Sequence, residues 1–252
     1  IIKSSKLEKM NVVAIVQARS GSTRLPNKIF LKLSDNFLLY HVVQRLKSSN
    51  EINNIVIATT TSSKDNSVEK WCLKNSLDFY RGSENDVLER YYYTAKQFNA
   101  DIIVRVTSDD PFKDYRLIDQ AVKTIKEKNL DFVCNNNPIS YPEGLDVEVL
   151  TMDALSKSFL NATSSFEKEH VTQYIHKNEN SFNTFNIKNH QDFSHFRWTI
   201  DTEEDYLFAS QIYNSLYDDK KMFLTEDIYK LIEKNPQLLK INNEVKKSDL
   251  YK

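Results

Sequence analysis

Short apolar runs alternate along the chain with stretches whose apolar residues recur every three or four positions. Val12–Val16 predicts a strand, and Leu38, Leu39, Val42, Val43 and Leu46 mark one face of a helix. Ile55–Ala58 predicts a second strand, followed by a helix carrying Val68, Trp71 and Leu73. Asp78–Tyr80 suits a short strand, and Val87, Leu88, Tyr91, Tyr92 and Ala95 form a third helical face. Ile102–Val106 is the strongest strand signal; a helix from about Leu117 to Lys128 and a strand at Phe132–Cys134 follow it. Strand–helix–strand alternation of this kind predicts a mostly parallel sheet with helices on both faces. Such sheets bind ligands at the carboxyl ends of their strands.

The later pattern is less regular. Leu145–Leu150 alternates and predicts an added, antiparallel strand. Helices are expected near 151–161, 167–178, 203–217 and 225–234, and strands near 183–188 and 196–200. With no internal repeat or low-complexity linker, residues 10–236 read as one domain with an insertion around 135–195. Residues 1–9 read as a tail or remnant and 237–252 as a polar tail.

Composition narrows the function classes. Lys plus Arg (34) nearly cancels Asp plus Glu (35), which argues against a nucleic-acid footprint, since that needs a basic excess. No apolar run reaches the roughly 18–20 residues that span a bilayer, so no membrane partner is expected. Ile1–Lys9 is too polar for a secretory signal. Cys72 and Cys134 sit in apolar segments and read as reduced core thiols of a cytoplasmic protein. Tyr91, Tyr92 and Tyr93 read as core and interface packing, and His190 and His195 as surface.

The chain has only three glycines, Gly21, Gly82 and Gly144, each in a polar loop after a strand-like run. Glycine used so sparingly is expected where the backbone needs positive φ or approaches a ligand; ordinary tight turns are the alternative. The loop Ala18-Arg19-Ser20-Gly21-Ser22-Thr23-Arg24-Leu25-Pro26-Asn27-Lys28 follows the first strand directly. Its two arginines, lysine, hydroxyls and glycine supply what a polyphosphate needs: backbone N–H groups, hydroxyl donors and fixed positive charge. It matches neither a Walker A pattern nor a dinucleotide fingerprint.

Two aspartates stand at strand ends. Asp109 follows the strongest strand and precedes Pro111; Asp201 follows the apolar run 197–200 and precedes a helix. Carboxylates at two strand ends suit Mg2+, a hard ion that takes one or two carboxylates plus substrate phosphates. Asp201 also reads as a helix N-cap, unless Thr202 caps and leaves it to the metal. Asp146 and Glu148, two apart on an expected strand, face the same way beside Tyr141 and Glu143, either toward sugar hydroxyls or as a charged solvent edge.

Taken together, the first loop from Gln17 resembles the signature loop of the CMP-sugar cytidylyltransferase superfamily. That group holds the acylneuraminate and KDO cytidylyltransferases and the spore-coat-polysaccharide SpsF-type branch, which this chain resembles most. The likeness continues through Ile57-Ala58-Thr59-Thr60-Thr61, Arg81-Gly82-Ser83-Glu84-Asn85-Asp86, Arg105-Val106-Thr107-Ser108-Asp109-Asp110-Pro111, Tyr141-Pro142-Glu143-Gly144, Glu169-His170 and Arg197-Trp198-Thr199-Ile200-Asp201. It implies a Rossmann-like, GT-A-like nucleotidyltransferase fold. It also implies transfer of CMP from CTP to a sugar or sugar-acid acceptor, with pyrophosphate released, for surface-polysaccharide or glycan precursors.

The resemblance also assigns residues. Ala18, Arg19, Ser20, Gly21, Ser22, Arg24, Lys28, Thr59, Thr60, Thr61, Arg81 and Ser108 would meet the nucleotide. Tyr141, Glu143, Asp146, Glu148, Glu169, His170 and Arg197 would meet the acceptor, Asp109 and Asp201 the Mg2+. Catalysis would fall to Arg19, Lys28, Asp109 and Asp201, in a homodimer joined or completed by the 135–195 insertion. Some positions depart from the pattern. KDO enzymes place Gly-Asp-Glu-Pro at 108–111, sialic-acid enzymes lack the Thr-Arg-Leu-Pro segment, and Asn27 stands where the SpsF-type branch often has glycine. Asparagine also tolerates left-handed geometry, so the turn can survive. Two other readings are a GT-A-type glycosyltransferase using a nucleotide sugar and a non-catalytic nucleotide-binding module.

Overall fold

The computed structural model describes residues 10–22 and 24–247; the expected leading tail, Thr23 and the end of the polar tail lie outside the described residues. In chain order the strands are β1 (Val12–Gln17), β2 (Lys32–Leu33), β3 (Asn36–Phe37), β4 (Asn54–Thr60), β5 (Asp78–Gly82), β6 (Ile102–Thr107), β7 (Phe132–Cys134), β8 (Glu148–Thr151) and β9 (Thr184–Asn186). The helices are α1 (Leu38–Lys47), α2 (Asn66–Lys74), α3 (Val87–Gln97), α4 (Tyr115–Lys128), α5 (Met152–Asn161), α6 (Ser165–Glu169), α7 (Gln173–Lys177), α8 (Glu203–Leu216) and α9 (Thr225–Lys234). Seven strands form one sheet in the order β5-β4-β1-β6-β8-β7-β9. Its neighbours pair in parallel except where β8 runs antiparallel between β6 and β7. This is the expected α/β architecture, a mostly parallel sheet sandwiched by helices.

Alternation along the strands explains the two layers. Val12, Ala14 and Val16 point into a core with α1, α2, α4, α8 and α9, whereas Val13 and Ile15 point into a second core with α3, α5 and α7. Strands buried on both faces need continuous apolar runs, as Val12–Val16 supplies. Helix ends follow local chemistry: Asp86 caps α3 by accepting from Glu89 N (2.8 Å), and Asp114 caps α4 by accepting from Arg116 N (3.0 Å). Asn129 ends α4 in the left-handed conformation. Among the described residues, no helix is long and apolar enough to cross a membrane.

Three expectations change in detail. The helix expected near 167–178 is two short helices, α6 and α7, separated at Val171, whose φ is 53°. The strand expected near 196–200 is an extended segment outside the seven-stranded sheet, with an isolated bridge between Glu143 and Arg197. The alternating run 145–150 enters the ladder only at Glu148, because Asp146 turns back to accept from Gly144 N (3.1 Å) and Val147 N donates to Asn135 Oδ1 (2.8 Å). Leu73 on α2 is exposed, as is Tyr93 on α3, while Tyr91 is buried. Cys72 and Cys134 are buried free thiols on opposite faces of the sheet, each pushed up to about 12 by burial.

Candidate active site

The loop leaving β1 is pinned before it reaches its basic residues. Ala18 N donates to Ala58 O (3.1 Å) on the neighbouring strand. Ser20 donates from both its N and its Oγ to Asp65 Oδ1, each at 2.7 Å, and Thr60 donates its hydroxyl to the other oxygen of Asp65. Asn27 N then closes back on Ser20 O (3.2 Å). Asn27 itself has φ 55°, the left-handed geometry its asparagine was expected to tolerate. The turn swings Lys28 into the interior, while Arg19, Gly21 and Arg24 stay exposed and Ser22 is half-buried. Gly21 has open space where a Cβ would stand, and of the three glycines Gly144 alone has positive φ (102°). A Cβ on Gly144 would come within 2.6 Å of Thr199 N, so close backbone approach explains that glycine.

Lys28 joins the two aspartates. Its Nζ donates to Asp109 Oδ2 (2.6 Å), Asp201 Oδ1 (2.7 Å) and Ile200 O (2.9 Å). The loops carrying the two acids are tied together by Ile200 N donating to Asp109 O (2.9 Å). Burial alone would lower the lysine pKa, but the two carboxylates more than offset it and hold the ammonium above its usual range. Burial likewise works to raise the Asp109 pKa, and Lys28 reverses it, leaving Asp109 below the usual carboxylate range. Asp201 is not the helix cap: Thr202 caps α8, in a capping box with Asp205. The far oxygen of Asp201 takes Arg24 Nη2 (3.1 Å) and Arg197 Nη2 (3.2 Å).

The chemistry of these donors fits a hard divalent ion. Two carboxylates, one in the turn after β6 and one after the extended segment 196–200, already share one cation, the Lys28 ammonium, at hydrogen-bond distance. No group of three or more His, Cys, Asp or Glu able to hold a metal occurs among the described residues. Two carboxylates with further ligands from phosphate and water are what Mg2+ takes.

Beside this centre lies a polar cleft of about 280 Å³. Asp109, Glu143, Asp146, Glu148 and Asp201 line it. Tyr141 packs instead against the core, Glu169 is exposed on α6, and the His170 ring lies against Phe166 (4.6 Å). Arg197 is buried and bonded to Glu143 (2.6 Å), Asp205 (2.9 Å) and Asp201, so it braces the site from behind.

On the nucleotide side, Thr59 and Thr60 are buried at the end of β4, Thr61 is exposed, and Ser108 is buried in the turn after β6. Thr59 Oγ1 and Gln17 Oε1 are buried without a hydrogen-bond partner. Arg81 spends its guanidinium on the loop after β4, bonding Thr60 O (2.8 Å), Ser62 O (2.8 Å), Asn66 Oδ1 (2.9 Å) and Glu69 (2.5 Å).

Four residues to which the sequence assigned no role shape the site. Arg105 lines the cleft and pairs with Glu148, which also accepts from Thr172 Oγ1 (2.7 Å); Arg105 and Glu148 are cross-strand partners on β6 and β8. Burial works to raise the Glu148 pKa, but Arg105 outweighs it and holds the carboxylate far below its usual range. Lys113 bonds Asp146 O (2.5 Å) and Asp110 (2.9 Å). Burial raises the Asp110 pKa; Lys113 opposes this, and Asp109 and Asp146 add to it. Asp65 and Asp205 are buried anchors. A lone arginine inside the apolar strand 102–106 was the available signal for Arg105; Lys113 and Asp65 carried none.

Comparison with known proteins gives a consistent picture. A family profile described as cytidylyltransferase matches residues 13–247. The uncharacterised Methanocaldococcus jannaschii protein MJ1063 is 37% identical over 94% of this chain and 96% of its own length. The spore coat polysaccharide biosynthesis protein SpsF of Bacillus subtilis is 31% identical over 90% of this chain and 95% of its own. A solved cytidylyltransferase structure from Leptospira borgpetersenii superposes with a TM-score of 0.86 at 35% identity, covering 91% of this chain and 97% of that one.

Proposed function

The chain belongs to the cytidylyltransferase family of CTP-dependent nucleotidyltransferases, and we propose that it transfers CMP from CTP to a hydroxyl of a sugar or sugar-acid acceptor, releasing pyrophosphate. The product would feed surface-polysaccharide or glycan synthesis. One observation carries the reading: Lys28 Nζ sits within 2.6 and 2.7 Å of two carboxylates from separate loops, directly after the basic turn of β1. A largely buried charge cluster costs desolvation, which a site for polyphosphate chemistry offsets and a plain binding module does not need.

In this reading the exposed Arg19 and Arg24, Ser22 and the exposed turn at Gly21 grip the phosphates. Attack on the α-phosphorus depends on positioning and charge neutralisation more than on covalent help. Lys28 leaves its carboxylates for the phosphate and offsets the charge that grows there in the transition state. Asp109 and Asp201 would then hold Mg2+, which when bound neutralises phosphate charge and favours the ionised acceptor hydroxyl. Arg197 keeps Asp201 facing that position. Glu143, Asp146 and Glu148, with Arg105 and Lys113 between them, offer the mixed donors and acceptors that sugar hydroxyls need.

The same reading extends to one nucleotidyltransferase domain over 10–236, a cytoplasmic setting and a homodimer. Family membership sets aside the glycosyltransferase alternative. The test is pyrophosphate release measured with Mg2+, each nucleoside triphosphate in turn, and a panel of sugars and sugar acids. Release with CTP and one acceptor class is expected; release with another triphosphate, or with CTP and no acceptor dependence, would refute the proposal.

A further inference from the structure

The segment after α9 reaches back to the centre of the site. Residues 243, 244, 246 and 247 are exposed, yet Asn242 among them is buried. Its Nδ2 donates to Asp205 Oδ1 and to Arg197 O, both at 3.0 Å. Asp205 is fully buried and is the hub of the support beneath Asp201. Its Oδ1 takes Arg197 Nε (2.9 Å), and its Oδ2 takes Arg197 Nη2 (2.9 Å), Asp201 N (3.0 Å) and Thr202 N (3.2 Å). Arg197 Nη2 in turn reaches Asp201 Oδ2 (3.2 Å), which leaves Oδ1 turned toward Lys28. The carboxylate of Asp201 is thus set by a side chain and a backbone that Asn242 both holds.

We propose that Asn242 is a positioning residue: the segment that carries it clasps the Arg197–Asp205 pair and so fixes Asp201 in the orientation that receives a divalent ion. This rests on the cytidyl-transfer reading and on the part Asp201 plays in it. Groups that orient a metal ligand without touching the metal typically affect affinity or rate by about 10–100-fold. Asn242→Leu removes the donor at similar volume, and Asn242→Asp places an acceptor against Asp205.

The experiment measures three quantities on each full-length variant and on Asp201→Asn: Mn2+ binding to nucleotide-free protein by electron paramagnetic resonance, CTP binding without metal by calorimetry, and turnover. For both Asn242 variants, Mn2+ binding weakened by about ten-fold, turnover reduced by at least as much, and metal-free CTP affinity within two-fold of wild type are expected. Mn2+ affinity and turnover both within two-fold of wild type would overturn the proposal. So would a parallel loss of metal-free CTP binding, which marks general damage to the fold. If Asp201→Asn is defective and Asn242→Leu is normal, only this inference fails. If Asp201→Asn binds Mn2+ and turns over normally, the reading of the site itself fails.

Discussion

Replacing Lys28 with methionine keeps the length and apolar stem of the side chain and removes its charge. The ammonium now lies 2.6 Å from Asp109 and 2.7 Å from Asp201, with its side chain only 11% exposed. Without it two carboxylate oxygens, each bonded to the same ammonium and so at most about 5 Å apart, face each other. At an effective dielectric of about 20 that repulsion is about 3 kcal/mol. For a chain of this size each kcal/mol moves the midpoint by roughly 2–4 °C, so Lys28→Met should melt about 10 °C lower without divalent ions. Mg2+ should return most of that loss, because the exposed pair of carboxylates gains a counter-cation. Turnover should fall at least ~10²-fold, the scale of losing one electrostatic stabiliser of the transition state. Thermal melts with and without Mg2+ and a pyrophosphate-release assay check both arms. Turnover near wild type, or a melting point indifferent to the substitution and to Mg2+, would refute the reasoning.

Asp109→Asn and Asp201→Asn should each lower turnover at least ~10²-fold while leaving the chain folded, since Lys28 keeps one charged partner; steady-state rates and circular dichroism check this. His41 is buried and donates from Nε2 to Leu33 O (2.7 Å), and burial lowers its pKa to about 4. Between the usual value near 6.5 and about 4 the unfolded chain binds the extra proton, so stability is complete above that window and falls as pH drops through it. The loss from pH 7 to 4.5 should be about 2–3 kcal/mol; urea midpoints at both values should show it, and His41→Phe should remove that increment. Gly144→Ala should destabilise by about 2 kcal/mol or more, because φ is 102° and its Cβ would crowd Thr199 N; denaturant titration measures it.

Periodicity and a few motifs make the fold legible in the sequence. Strands buried on both faces must be almost wholly apolar, so Val12–Val16, Ile55–Ala58 and Ile102–Val106 declare themselves, and helices that cover them show a one-sided stripe. Lys28, Asp109 and Asp201 stood out as candidates because phosphate and metal chemistry favour particular residue types in loops that follow apolar runs, and the structure brings the three together. What escaped was the hidden side of the site. Asp65, Lys113 and Asn242 are ordinary polar letters that only the folded chain brings onto segments far away in sequence, and Asp205 reads as an ordinary acid in the first turn of a helix. Nor could the sequence say that Arg81 and Arg197 are already engaged, or that Lys28 bridges Asp109 and Asp201. Residue type sets what a side chain can do; its partners are set by tertiary packing, and a buried charge takes its role from whichever opposite charge the fold delivers to it.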